Sequence, residues 1–115
     1  MTEAAALDPE DLKVINLARS ARARVTAAEG AAVRDETGRT YAAAAVSLPS
    51  LQMSALRLAV AMAASSGAAG LEAAAVVSEV GEPDPDDMAV LRDLGHGITL
   101  FLVAPDGSVR QAISS

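Results

Sequence analysis

The sequence predicts a single α/β domain with elements in the order αββαβαββ, built on a mixed five-stranded sheet. Three observations predict it. Stretches with apolar residues every three or four positions alternate with apolar runs of strand length. Two glycine turns, Asp35-Glu-Thr-Gly38 and Pro105-Asp-Gly107, each join two such runs, and a tight hairpin is antiparallel. The runs in the middle are joined through helices, which implies parallel neighbours there. The last two strands are therefore antiparallel while the sheet as a whole is mixed. A chain of 115 residues that is 51% hydrophobic has material for one core.

Residues 1–7 read as a flexible tail and residues 8–115 as the domain. Asp8-Pro9-Glu10-Asp11 is a helix start, with Asp as N-cap, Pro at the first helical position and acids in the first turn. Leu12, Ile15, Ala18, Ala21 (with Arg22 beside it) and Val25 follow at helical spacing and predict the buried stripe. Lys13, Arg19, Arg22 and Arg24 lie on the same helix, weighted toward the end where the macrodipole favours cations. They read as a solvated face, with a docking patch for an acidic partner or phosphate as the sharper alternative. Gly30 to Arg34 is a strand, and Arg39 to Val46 returns beside it. Ser47-Leu-Pro-Ser50 reads as a loop into the second helix, with Ser47 or Ser50 able to cap it. From Leu51 to about Ser65 the pattern is apolar nearly all round and Arg57 is the only charge. Such a helix is covered on more than one side, which makes Leu51, Met53, Leu58 and Met62 candidates for a subunit interface. Leu71 to Val80 is a buried strand, Asp87 to about Leu94 a third helix with Gly95 as C′ residue, and Ile98–Val103 and Ser108–Ile113 close the chain.

Composition excludes much. A net charge of −6 disfavours nucleic acid and anionic membranes, which need surplus Lys and Arg. Tyr41 and Phe101 are the only aromatics among 27 alanines, too few to stack bases. Absence of cysteine removes disulfides, thiolate nucleophiles and thiolate metal sites together. The N-terminus lacks the basic and apolar regions of a signal peptide, and the longest uncharged stretch is too short and polar to span a bilayer. A cytoplasmic protein is expected.

The candidate chemistry is sparse. His96, between two glycines, has no second His or Cys to share a metal and reads as an exposed loop residue. The acidic segment Glu79, Glu82, Asp84, Asp86, Asp87 lacks the spacing and turn glycine of an EF-hand. Asp84 or Asp86 is expected to cap the third helix, with the other acids solvated. Ser47, Ser50, Ser54, Ser65 and Ser66 have no nucleophile-elbow context.

Gly30-Ala-Ala-Val33, Asp35-Glu-Thr-Gly-Arg-Thr-Tyr41 and Ser54-Ala-Leu-Arg57, in this element order, resemble the small cytidine deaminases from about Leu12 to Ile113. That family reads roughly as VGAAL, a DGR-x-Y hairpin, a CNVEN-type strand end, CAER opening the second helix and PCGxC opening the third. The resemblance implies a three-layer fold with the first helix on one face or edge of the sheet. It also implies dimers or tetramers, so a homo-oligomer is expected. Carried over residue by residue, the CAER segment falls on Ser54-Ala55-Leu56-Arg57 and the PCGxC segment on Pro83-Asp84-Pro85-Asp86-Asp87. Ser54, Asp84 and Asp87 then stand at the zinc-ligand positions and Leu56 at the proton-shuttling glutamate. The nucleoside-contacting Asn and Glu fall on Ala45 and Ser47. The aromatic- and proline-bearing segment that lines the base pocket is shortened to Val25-Thr-Ala-Ala-Glu29.

The family's chemistry needs a zinc-activated water and a carboxylate that moves its protons. A serine and two hard carboxylates replace soft thiolates poorly, and leucine transfers no proton. The expectation is a degenerate member of the family with no cofactor, no metal and no catalytic residue. Ala45, Ser47, Ser54, Asp84 and Asp87 would line a vestigial pocket, and Asp84 and Asp87 would face the helix N-termini as capping carboxylates. The alternatives are weak activity as a nucleoside deaminase or hydrolase through a carboxylate-bound metal, and nucleoside sensing without turnover.

Overall fold

A computed structural model describes residues 7–115 of the chain. Residues 1–6 of the tail expected at the N-terminus lie outside the described residues. The elements are α1 (Pro9–Arg24), β1 (Glu29–Asp35), β2 (Thr40–Ala44), β3 (Val46–Leu48), β4 (Leu51–Met53), α2 (Ala55–Ser65), β5 (Leu71–Ser78), α3 (Pro85–Asp93), β6 (Thr99–Val103) and β7 (Val109–Ser114). Five strands form the main sheet in the order β2-β1-β5-β6-β7, and β3 and β4 pair separately.

The three layers follow from the period of two along the central strands. Ala31 and Val33 of β1, Ala74 and Val76 of β5, and Leu100 and Leu102 of β6 face α2 and α3. Ala32, Ala75, Val77, Phe101 and Val103 face the other way, onto Val14, Ile15 and Ala18 of α1. Because both faces are covered, these strands read as continuous apolar runs.

Asp8 caps α1 by accepting the Glu10 N–H at 2.7 Å. Two members of the expected stripe are not in the core. Leu12 and Val25 are exposed while Val14 is fully buried. The helix meets the sheet along 14, 15, 18 and 21, and Leu12 and Val25 flank that line. Gly30 sets how close the helix comes. A Cβ there would collide with the Ala18 carbonyl oxygen and stand 2.6 Å from the Arg22 backbone nitrogen.

The first hairpin is antiparallel, with Gly38 at φ +90° in its turn. Asp35, almost fully buried, organises that turn. Its Oδ1 accepts from the Thr37 hydroxyl at 2.7 Å and from the Thr37 and Arg39 N–H groups at 2.8 and 3.0 Å, and its Oδ2 accepts from the Tyr41 hydroxyl at 2.8 Å. The Thr37 hydroxyl bond above all holds the Asp35 carboxyl down at about 2, with Tyr41 and the two N–H groups adding to it against the effect of burial.

Between β2 and α2 the structure departs from the sequence reading. The expected loop at Ser47–Ser50 and the first turn of the expected helix form the β3–β4 hairpin, in register Val46↔Met53, Ser47↔Gln52, Leu48↔Leu51. Helix α2 starts only at Ala55, so neither Ser47 nor Ser50 caps it. Ser54 does, by accepting the Arg57 N–H. A serine at 54 ends the apolar run with a side chain that competes for backbone N–H groups, and that stops the helix from reaching back to Leu51.

Strand pairing differs at one crossover. The connection through α3 joins parallel neighbours β5 and β6. The connection through α2 carries the chain past β1, so β5 pairs antiparallel with β1 and is not hydrogen-bonded to β2. The closing hairpin β6–β7 is antiparallel as expected. Helix α3 begins at Pro85, a little before the expected Asp87, because Asp84 caps it through the Asp86 N–H at 2.8 Å. No helix among the described residues is long and apolar enough to cross a membrane.

Candidate functional site

The N-termini of α2 and α3 meet at one end of the sheet, and their capping residues make the site. Ser54 Oγ accepts from the Arg57 backbone N–H at 3.1 Å and from Arg57 Nε at 3.0 Å, and its own hydroxyl donates to Asp87 Oδ1 at 2.6 Å. Arg57 Nε also donates to Asp87 Oδ1 at 3.0 Å. Ser54, Arg57 and Asp87 thus close a three-membered ring of hydrogen bonds around one guanidinium nitrogen. Asp87 is 6% exposed, so its charge is held mainly by these two partners. The sequence reading left Asp87 as either a solvated acid or a capping carboxylate. It is neither, because it lies on the inner face of α3's first turn and reaches across to α2.

Glu29, at the start of β1, completes the junction. Its Oε1 accepts the Ala55 N–H at 3.0 Å and satisfies a second free donor of α2. Two carboxylates therefore face the helix N-termini, as electrostatics favours, but they are Glu29 and Asp84. Nothing local in the sequence signals Glu29, since its partner is 26 residues away.

Beside this junction is a cavity of about 160 Å³. Its floor is apolar, made by Leu56, Val76, Leu100 and Leu102, and its rim is acidic, with Glu29, Glu82, Asp84 and Asp87. Leu56 is fully buried. Of the five residues expected at a vestigial pocket, Asp84 and Asp87 line this cavity. Ser47 and Ser54 instead line a shallow groove shared with Val46, Gln52, Met53 and Arg57. Ala45 lines neither, and its backbone N–H donates to the Glu29 carbonyl. The expected interface residues divide between two elements. Leu51 and Met53 sit on β4, Leu58 and Met62 on α2. His96 is exposed in the loop after α3.

The fold and site define a three-layer α/β/α domain with two helix N-termini converging at one end of its sheet. A family model described as cytidine deaminase-like matches residues 7–107, and the chain belongs to that family. Among solved structures it is similar to cytidine deaminase from Burkholderia pseudomallei, with 25% identity and a TM-score of 0.76, over 89% of this chain and 90% of that one. Cytidine deaminase from Mycobacterium leprae shares the fold at 21% identity and a TM-score of 0.64, over 87% of this chain and 90% of that one. No curated protein matches the sequence.

The residues present do not fit the zinc that this family implies. Zinc takes thiolate, imidazole or carboxylate lone pairs converging on one point. Here the Ser54 hydroxyl is neutral, donates its proton to Asp87 and accepts from Arg57. A guanidinium already lies against both Ser54 and Asp87, so a dication between them would meet a fixed positive charge at close range. Among the described residues, no three His, Cys, Asp or Glu side chains are grouped to hold a metal.

Proposed function

We propose that this chain is a non-catalytic cytidine deaminase-like protein, acting as a binding, regulatory or structural subunit without zinc and without deaminase activity. The observation that carries the reading is the closed Ser54–Arg57–Asp87 ring at the converging helix N-termini. Deamination needs a polarised water and a group that carries its protons. The ring offers a hydroxyl and a carboxylate already engaged with a guanidinium. The residue two positions into α2, where the proton-carrying glutamate falls by resemblance, is the buried Leu56. Loss of acid/base help alone typically costs 10²–10⁴-fold. The cavity is small beside the roughly 300–1,000 Å³ of ordinary ligand pockets, which counts against a retained nucleoside site.

The test is metal analysis and a deamination assay on protein produced with zinc in the medium, alongside a thermal-shift panel of nucleosides. The expected result is substoichiometric zinc, no turnover of cytidine and a flat panel. Stoichiometric zinc with measurable turnover would overturn the reading in favour of a carboxylate-bound metal. A nucleoside that raises the melting temperature would replace it with sensing. The proposal includes a cytoplasmic location, checked by fractionating cells that express the tagged chain.

A further inference from the structure

One carboxylate oxygen at the capping junction is left over. Asp87 meets Ser54 and Arg57 through Oδ1 alone, and among the described residues nothing donates to its Oδ2. Every sealed-in polar side-chain atom among the described residues has a partner, so Oδ2 is open to water. The Asp87 side chain is 8% exposed, and it lines the cavity of about 160 Å³. A deeply buried carboxylate therefore opens a free oxygen onto a hollow whose floor is Leu56, Val76, Leu100 and Leu102.

The wall of that hollow is negative. Glu29, Glu82, Asp84 and Asp87 line it, and among the described residues no Lys, Arg or His does. Glu29 and Asp84 each give one oxygen to a helix N–H and keep the other. Positive charge stands behind the wall. The two helix N-termini supply roughly half a charge each, and Arg57 adds one through Asp87. Four carboxylates against these leave about two negative charges uncompensated. Arg110, held outside the wall by the Ser78 and Glu79 carbonyls, does not reverse that sign.

We infer that the cavity binds a small organic ammonium ion, with its nitrogen against Asp87 Oδ2 and the rim carboxylates and its hydrocarbon on the leucine and valine floor. Size sets the class. An apolar cavity of about 150 Å³ holds one benzene molecule, so about six non-hydrogen atoms fit here. Charge sets the head group, because an ammonium brings three donors to carboxylates that only accept. The floor sets the tail. A bare metal ion would leave it unfilled, and among the described residues no three His, Cys, Asp or Glu side chains are grouped to hold one. The site rests on the zinc-free reading above, since a dication at Asp84 and Asp87 would take the same carboxylates.

The experiment is isothermal titration calorimetry of the full chain with cyclopentylammonium, with bound zinc measured on the same sample. Cyclopentanol and cyclopentanecarboxylate serve as the neutral and anionic counterparts. The amine is expected to bind one to one with a Kd below about 1 mM, within what six non-hydrogen atoms allow. The alcohol should bind at least about tenfold more weakly and the carboxylate not at all. Asp87→Asn keeps an oxygen for Ser54 and Arg57 and should weaken amine binding about tenfold or more. Glu82→Gln, at an exposed position outside the junction's hydrogen bonds, should weaken it about threefold. Asp93→Asn makes the same change in net charge at the other end of α3 and should leave binding as it was. Circular dichroism checks that each variant folds. An amine that binds no better than the alcohol would overturn the inference and leave the zinc-free reading standing. So would Asp87→Asn and Glu82→Gln variants that both bind like wild type. One equivalent of tightly bound zinc would overturn that reading and the site with it.

Discussion

Replacing Arg57 with methionine removes the guanidinium and keeps most of the aliphatic stem. Asp87 would then hold its charge against the Ser54 hydroxyl alone, in a position 6% exposed. Breaking a fully buried pair costs about 3–5 kcal/mol, whereas an exposed pair is worth about 0–1 kcal/mol. The Arg57 side chain is 36% exposed and that of Asp87 8%, so water screens one end of the pair. A loss of about 2 kcal/mol follows for Arg57→Met. Asp87→Ala should cost less, about 1 kcal/mol, because Arg57 keeps Ser54 Oγ as acceptor and has water at its outer end. Since the two residues share one network, the double variant should lose about 1 kcal/mol less than the sum of the singles. The assay is urea unfolding followed by circular dichroism and extrapolated linearly to water. An Arg57→Met variant within about 0.5 kcal/mol of wild type, or strictly additive losses, would refute the view that this ring joins α2 to α3.

Other outcomes follow from the same geometry. Gly30→Ala forces a methyl against the backbone of α1, which has no flexible end to yield, and should cost about 2–3 kcal/mol in the same denaturation assay. Ser54→Ala removes the α2 cap and one partner of Asp87, for a loss of about 1–2 kcal/mol. Because the folded-state pKa of Asp35 is lowered to about 2 from an ordinary 3.8, the unfolded chain binds more protons between those values and stability falls as pH drops through that window. Asp35's contribution is complete above about pH 4 and lost as pH passes below about 2. Tyr41→Phe, which deletes one of the bonds responsible, should move the Asp35 titration upward, read by carbon-detected NMR of the carboxyl.

Much of the fold was legible because its signals are local. Pro9 after Asp8, Gly38 and Gly107 in their turns, and Gly95 after the third helix each impose a backbone geometry that neighbouring residues carry out. The error at Leu51–Met53 has a physical origin. Three residues with an apolar–polar–apolar pattern fit a strand as well as the first turn of a helix, and what divides them from α2 is the Ser54 cap, which acts through a hydrogen bond and not through periodicity. Leu12 fits the spacing for a similar reason, since helical periodicity marks two overlapping stripes and only packing on β1, β5 and β6 selects the one through Val14. At the site, Ser54, Leu56, Asp84 and Asp87 were legible as positions through a family resemblance. Their partners were not. Glu29 meets Ala55, and Arg57 meets Asp87, only through the folding of separate elements.

By itself the sequence determined the class of fold and the chemistry available to it. Without cysteine, with one histidine and with leucine at position 56, the donor set was limited before any contact was known. Tertiary structure alone decided how the remaining groups are used. It turned Asp87 inward onto Ser54 and Arg57 and brought Glu29 to a free donor at the start of α2. The physical reason is range. Caps, turns and alternation act over a few residues and are written in neighbouring letters, whereas a hydrogen bond between residues 54 and 87 exists only once the sheet has brought two helix ends together.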